Sequence, residues 1–572
     1  MATASGKTIS GNTVSGKTYK GRQIFVETLL AEGVEYLFGN PGTTESPILD
    51  ALFEYPRLKY IVSLQEAIAV SMADAYAQAS GKVGVVNLHV APGLGNGLGS
   101  VYNAWEGKTP LLVTAGQQDT RIRLRDPLLG HDLVAMAAPL TKWSVQAESA
   151  DELPLLLNRA FKVAREAPSG PVFVALPINV MEQDTAHPPL QPARMFPRTA
   201  PDPAGVEEAA GLLVSAHKPA IVCGDGVARA GAVKELVALA ELLGASVWGE
   251  VLPARTNFPT AHPHFRDRLP GDFTLIRQSL GGADTVLLVG GEFFEEVWHT
   301  TGSPFPDGAA VIQIDAAPSQ IARNFPIACG LVADPKAALA ALSQAVAAKA
   351  TPAFTARAEA ARAAMVKQKE QEWAKQQARI GQSGEKRPMA PARLMLELRN
   401  ALPQHTIVVQ EAITAAVDLY RTLPTHDATD SYGPRGGGIG QGLPSAIGVK
   451  LAHPGRPVLC LSGDGSSLYT IQALWSAAHH KVPVVFVILS NRAYRILKIN
   501  MNRYRRDFGT GGERPYPHMD LTDPTLGFVD LAKGFGVEGR TIAEPKDVGP
   551  ALTVAFTGGK PYLLEILVDG TV

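Results

Sequence analysis

The sequence predicts an α/β protein built from three doubly wound parallel-sheet domains. Three observations carry that expectation. The chain has 572 residues at 46% hydrophobic content, enough for about three cores. Short apolar runs alternate with helix-like segments along most of it, the pattern of parallel sheets covered on both faces. The polar residues of interest follow directly after apolar runs, where open α/β sheets bind ligands beyond the carboxyl ends of their strands.

Residues 1–18 are rich in Ser, Thr, Gly and Lys without an apolar centre, and read as a disordered tail rather than a signal peptide. The first domain is expected over 19–185, with strands at Tyr36–Gly39, Tyr60–Leu64, Val83–Leu88, Leu111–Ala115 and Pro171–Leu176. Thr43, Glu66 and His89 each follow one of these strands and converge on one sheet edge. Taken singly, Glu66 also suits a helix N-terminus, His89 a hydrogen-bonded core site, and Thr43 a helix cap. The run Gly93–Gly99 lacks the spacing of a dinucleotide fingerprint, because Leu98 stands where glycine is needed. The proline-bearing stretch Met181–Ala204 reads as a linker.

A central domain is expected over 205–344, with strands at Ala220–Cys223, Ser246–Trp248, Thr285–Val289 and Ala310–Ile314. Residues 345–389 shift to Ala, Lys, Glu, Gln and Arg, the composition of a solvated helical linker. A third domain is expected over 390–572, with strands at Pro457–Leu461, Val482–Leu489 and Tyr562–Val568.

The net charge of −1 argues against nucleic acid as the main partner, since neutralising a phosphate backbone needs a basic excess. Cys223, Cys329 and Cys460 lie far apart in apolar stretches, so neither a disulfide framework nor a zinc site follows. Apolar runs fall short of the ~18 residues of a membrane span, and a soluble cytoplasmic protein is expected.

Gly463-Asp464-Gly465-Ser466 ends the strand at Leu461, and Asn491, 27 positions after Asp464, ends the next. Two parallel strands joined by a helix bring a carboxylate and an amide oxygen together. With a backbone carbonyl they suit Mg²⁺ at about 2.0–2.1 Å if a diphosphate supplies further ligands. Gly224-Asp225-Gly226 repeats the tripeptide, but Leu252 stands at the equivalent spacing and cannot ligate a metal. The spacing, rather than the tripeptide, is informative.

The Asp464–Asn491 pattern resembles the metal–diphosphate motif of the thiamine diphosphate enzyme superfamily, of the 2-oxo acid decarboxylase and acetolactate synthase type. Within it, benzoylformate decarboxylases are most similar: Phe38-Gly39-Asn40-Pro41-Gly42, Leu64-Gln65-Glu66-Ala67, Asn87-Leu88-His89, Gly438-Ile439-Gly440-Gln441-Gly442 and Ala473-Leu474-Trp475 carry the likeness. The resemblance implies pyrimidine-binding, middle and diphosphate-binding domains in that order. It implies that Glu66 hydrogen-bonds the aminopyrimidine and promotes a C2 ylid, which leads to an enamine after decarboxylation. It further implies Mg²⁺ on Asp464, Asn491 and the Ala493 carbonyl, with Gly463, Gly465 and Ser466 beside the diphosphate. Ile439 would keep the cofactor bent and the Gly437 carbonyl would accept from its amino group. His89 and Thr43 would serve the substrate, and an obligate homodimer, frequently a homotetramer, would complete the sites.

The chain departs from that pattern at the substrate. Thr43 replaces a serine, Val297 a histidine (His299 lies two residues on), Asn500 an aromatic residue, and Ile413, beside Thr414, a threonine. Arg492, Arg495, Lys498, Arg503, Arg505 and Arg506 form either a solvated face or a site for an anionic substrate group. The favoured expectation is non-oxidative decarboxylation of a 2-oxo acid with possible carboligation of aldehydes. The alternatives are an acetolactate synthase-type carboligase, a 2-hydroxyacyl-CoA lyase, or a non-catalytic regulator that binds the cofactor. The central domain shows no motif specific for FAD or CoA.

Overall fold

The computed structural model describes residues 16–510 and 514–572. Most of the expected tail therefore lies outside the described residues. Three six-stranded parallel sheets follow one another along the chain, each flanked by helices. The inner strands of each sheet are Val-, Ile- and Leu-rich and buried almost throughout, because both faces of a parallel sheet must be covered, while the edge strands are partly exposed.

The short strand β1 (Tyr19–Lys20) opens the chain, ahead of the first sheet. That sheet comprises β2 (Tyr36–Gly39), β3 (Lys59–Val62), β4 (Gly84–Leu88), β5 (Leu111–Gln117), β6 (Ser144–Gln146) and β7 (Val172–Pro177), in the order β3-β2-β4-β5-β7-β6. A further short strand, β8 (Asp184–Thr185), pairs antiparallel with β1, so the chain returns to its start before leaving this domain. The expected linker at Met181 is thus tied down at its beginning, with Met181 itself buried. The expected strand Tyr60–Leu64 ends at Val62, and Leu64 is exposed.

The central sheet comprises β9 (Pro219–Cys223), β10 (Ser246–Gly249), β11 (Phe265–Arg268), β12 (Thr285–Val289), β13 (Ala310–Asp315) and β14 (Cys329–Val332), in the order β11-β10-β9-β12-β13-β14. The expected helical linker is two helices. Pro335–Lys349 packs into the central core through Val346, and Pro352–Gln382 lies over it with Phe354 and Ala358 buried. The last sheet comprises β15 (Ile407–Glu411), β16 (Ser431–Tyr432), β17 (Val458–Gly463), β18 (Val485–Ser490), β19 (Glu538–Ile542) and β20 (Tyr562–Leu567), in the order β16-β15-β17-β18-β20-β19. The first and last sheets share one winding order.

These two sheets also share a hydrophobic core, joined where the helix Glu66–Ser80 crosses the helix Gly442–Ala452. Gly448 permits the crossing: a Cβ there would collide with the Met72 carbonyl oxygen and lie 2.9 Å from the Tyr76 nitrogen. No helix among the described residues is long and apolar enough to cross a membrane.

Candidate active site

In the first sheet the winding direction reverses between β2 and β4, opening a crevice at their carboxyl ends. The segments after β2, β3 and β4 supply Thr43–Glu45, Glu66 and His89 to this edge. Glu66 opens its helix, where the dipole favours a carboxylate, and the Gln65 side chain caps that helix by accepting from the Ile68 N–H. The Glu66 carboxylate is 7% exposed and accepts from Asn40 Nδ2 at 3.3 Å and Asn96 Nδ2 at 3.0 Å.

His89 precedes the helix Val90–Glu106, and its Nδ1 lies 2.7 Å from Glu45 Oε2. Glu45 is fully buried and also accepts from the Gly42 N–H at 3.0 Å, the Gly116 N–H at 2.9 Å and the Thr44 hydroxyl at 2.8 Å. An ionised carboxylate only accepts, so it fixes the histidine with the proton on Nδ1 and leaves Nε2 as the free ring nitrogen. Glu45 was not among the residues expected from sequence. Its signal was its place two residues after Thr43, at the carboxyl end of β2. Thr43 itself is exposed, and it is the buried Thr44 whose hydroxyl lies 3.4 Å from His89 Nδ1.

In the last sheet β17 and β18 are parallel neighbours, with Gly463 opposite Leu489. That register sets Asp464 and Asn491 side by side at the carboxyl end. Asp464, 3% exposed, accepts from the Gly465 N–H at 2.8 Å and the Arg492 N–H at 2.6 Å. Asn491 Oδ1 accepts from the Ala493 N–H at 2.9 Å. Burial pushes the Asp464 carboxyl above its usual range, against the lowering effect of the backbone N–H donors. The Ala493 carbonyl accepts no hydrogen bond among the described residues. A buried carboxylate, an amide oxygen and an unused carbonyl make a hard-oxygen donor set that fits Mg²⁺. Gly465 gives a close approach, since a Cβ there would lie 2.5 Å from the Tyr494 ring.

Gly437 and Ile439 lie on a glycine turn between β16 and the helix Gly442–Ala452, with Gly436, Gly437 and Gly440 at φ of +85°, +78° and +95°. Ile439 is half-buried. The Glu66 set lies on the first domain and the Asp464 set on the last, and no hydrogen bond joins the two sets among the described residues.

The substrate-pocket residues lie on three segments that meet: the helix Arg495–Asp507, which carries Asn500, packs on the turn Ile413–Ala415, and its Arg503 lies over the ring of Trp298, between Val297 and His299. Val297 is 77% exposed, and His299 is exposed on the same segment of the central domain. Thr414 lies in a single turn beside Ile413, which is exposed at φ +39°, and Asn500 lies on the helix Arg495–Asp507. Most of the basic residues near Asn500 are engaged: Lys498 with Asp520, Arg503 with Asp272 and Asp507, Arg506 with Asp507, and Arg505 with the carbonyls of Arg514 and Pro515. Arg495 donates to the Thr571 carbonyl. The solvated, self-paired face accounts for this segment.

Asp225, the motif's twin, clamps a loop by accepting from the Ala254 and Arg255 N–H groups and from Asn257 Nδ2. The crevice between β9 and β12 is filled by backbone: the Gly226 N–H donates to the Gly290 carbonyl at 2.6 Å, and a Cβ on Gly224 would lie 2.5 Å from Gly291 Cα. Nearby, carboxylate oxygens of Glu106, Glu292 and Glu295 approach within 4.8 Å of one another. Lys108 pairs with Glu292 at 2.8 Å and Arg435 with both Glu295 at 2.7 Å and Glu250 at 3.3 Å, which offsets part of the negative charge where domains meet.

Three family models match in the order of the sheets: the thiamine pyrophosphate enzyme N-terminal TPP binding domain over residues 19–136, the central domain over 206–342 and the C-terminal TPP binding domain over 411–566. Benzoylformate decarboxylase of Pseudomonas aeruginosa is 33% identical, across 94% of this chain and 97% of that protein. An acetolactate synthase large subunit of Haemophilus influenzae is 28% identical, across 96% and 94%. The structure of a thiamine diphosphate-dependent 4-hydroxybenzoylformate decarboxylase from Rhodococcus jostii superposes with a TM-score of 0.83 at 31% identity, covering 96% of this chain and 99% of that one.

Proposed function

The chain belongs to the thiamine pyrophosphate enzyme family, and from that premise we propose that it is a Mg²⁺-dependent, non-oxidative decarboxylase of a 2-oxo acid, of the benzoylformate type, with carboligation of aldehydes as a side reaction. The observation that carries this choice is the Glu45–His89 pair next to Glu66, a held proton relay at the crevice of the first sheet. Thiamine diphosphate, when bound, supplies the electron sink for the carbanion left by departing CO₂.

The chain's own groups bind, orient and move protons. Asp464, Asn491 and the Ala493 carbonyl would hold Mg²⁺, and Gly463, Gly465 and Ser466 would flank the diphosphate. Glu66 would hold a proton against the aminopyrimidine nitrogen, and its low-dielectric setting would strengthen that directed bond. Ile439 would pack against the bound cofactor, and the Gly437 carbonyl would offer it a hydrogen-bond acceptor. His89 takes up a proton at Nε2 and then binds the substrate carboxylate or returns that proton, with Thr43 at the mouth of the crevice. Thr414, Val297, His299 and Asn500 border the R group.

As the family resemblance implies, each complete site takes Glu66 from one subunit and Asp464 from another, in a homodimer or a homotetramer of such dimers. We assign the domains to 19–185, 205–344 and 390–572, with the helical connection at 345–389, and place the enzyme in the cytoplasm. The relationship to acetolactate synthases keeps carboligation as a second reading. Incubation with Mg²⁺, thiamine diphosphate and a panel of 2-oxo acids distinguishes the two. The decarboxylase reading expects CO₂ and free aldehyde from an aromatic 2-oxo acid. Release of CO₂ only with acetolactate formation from pyruvate would overturn it.

A further inference from the structure

Glu411 ends β15, on one side of the reversal point of the last sheet, and is almost fully buried. Its Oε1 accepts from the Gly440 N–H at 2.7 Å and the Gln441 N–H at 3.1 Å. Its Oε2 accepts from the Gly442 N–H at 2.8 Å, with the Ser462 hydroxyl at 3.5 Å. Three consecutive backbone donors thus converge on one carboxylate, immediately after Ile439. From the opposite side, the Asn103 side chain brackets the Gly438 peptide, donating to its carbonyl and accepting from its N–H, both at 3.1 Å. The Thr470 hydroxyl donates to the Gly440 carbonyl at 2.6 Å.

Burying a carboxyl is costly unless its oxygens are satisfied, and burial here pushes the group up to about 7 while the three amides pull it down. A glutamine of the same shape would not serve, because its NH₂ would face at least one N–H donor. A carboxyl accepts on both arms even when protonated, because its hydroxyl oxygen keeps a lone pair, whereas an amide NH₂ only donates.

We propose that Glu411 is a positioning residue that clamps the Gly440–Gly442 turn and thereby holds Ile439 in place for thiamine diphosphate before the cofactor arrives. The proposal deepens, and rests on, the cofactor-binding function above. Deuterium exchange of the cofactor-free protein tests it, with Glu411→Gln compared to wild type. The expected result is about tenfold or faster exchange confined to peptides covering residues 436–442, with β17 and β18 unchanged. Affinity for thiamine diphosphate at saturating Mg²⁺ falls about 10–100-fold, the equivalent of one or two lost charge-assisted hydrogen bonds.

Should the glutamine variant not fold, Glu411→Asp keeps the charge but retracts it by one methylene, and loosens the same peptides to a smaller extent. A merely structural role would instead speed exchange across the whole sheet. Wild-type exchange at 436–442 with wild-type cofactor affinity, or sheet-wide loosening, overturns the proposal. If the wild-type protein binds no thiamine diphosphate, the proposed function fails, while the exchange pattern still decides whether Glu411 clamps the turn.

Discussion

Replacing Glu45 by glutamine changes one atom type in a cradle of four donors. Oε1 receives the Thr44 hydroxyl and the Gly116 N–H, and Oε2 receives the Gly42 N–H and His89 Nδ1. The amide oxygen serves one pair, and the NH₂ then confronts the other. If it faces Gly42 and His89, the histidine relieves the clash by turning Nδ1 into an acceptor, which moves its proton to Nε2. That is the wrong tautomer for a group meant to take up a proton there. The Gly42 N–H is left without its acceptor at about 1–3 kcal/mol. The expected result is a fall in kcat of about 10²–10⁴-fold at saturating cofactor, the range for losing a positioned proton relay. Because Glu45 acts through His89, Glu45→Gln combined with His89→Ala should be no slower than His89→Ala alone. The assay is initial-rate CO₂ release from the best 2-oxo acid, with fold checked by circular dichroism. Multiplying losses in the double variant would refute the positioning role.

Titration of Glu411 gives a pH signature. Its folded carboxyl titrates near 7 and its unfolded one near 4.5, so between these values the folded protein holds the extra proton. Stability should fall as pH rises from about 5 to 7.5, by up to about 3 kcal/mol from this group; urea melts should show that decline in wild type and lose it in Glu411→Gln. His480 accepts from the Val62 N–H across the joint between first and last domains, and burial lowers its titration below the usual histidine value. Its contribution is present above about pH 6.5 and is lost as pH falls further, so His480→Ala should flatten the acid limb of the same melts. Gly448→Ala drives a methyl into backbone of the facing helix and should cost about 1–3 kcal/mol, read as a lower urea midpoint.

Parallel sheets announce themselves because their strands are continuous apolar runs, which is why Tyr36–Gly39 and Thr285–Val289 match the expected spans. Strands such as β6, β16 and β19, partly exposed or very short, carry no such signal. Asp464 and Asn491 were legible because two strands and a helix convert sequence spacing into adjacency. Glu45 was hidden in a short polar turn, where an acidic residue also suits a helix start, and only the fold brings β5 with Gly116 against it. Asn96 was hidden by its glycines: the segment around Gly93 to Gly99 is disfavoured as helix, yet it is helical. Gly93 and Gly97 lie against Glu66, Leu88 and Val70, where larger side chains would crowd the site. Glu411 reads in sequence as the polar end of an apolar strand, and its three amide partners lie about thirty residues on.

The central claim is that each active centre joins Glu66 of one subunit to Asp464 of another. Glu66→Gln and Asp464→Ala are each expected to be inactive as homodimers. Unfolding and refolding an equal mixture should give half heterodimers, each with one intact site, and so recover about a quarter of wild-type CO₂ release. Recovery near that fraction is the predicted result. No recovery, with heterodimers demonstrated by tagged subunits, would place both residues in one chain's site and contradict the account.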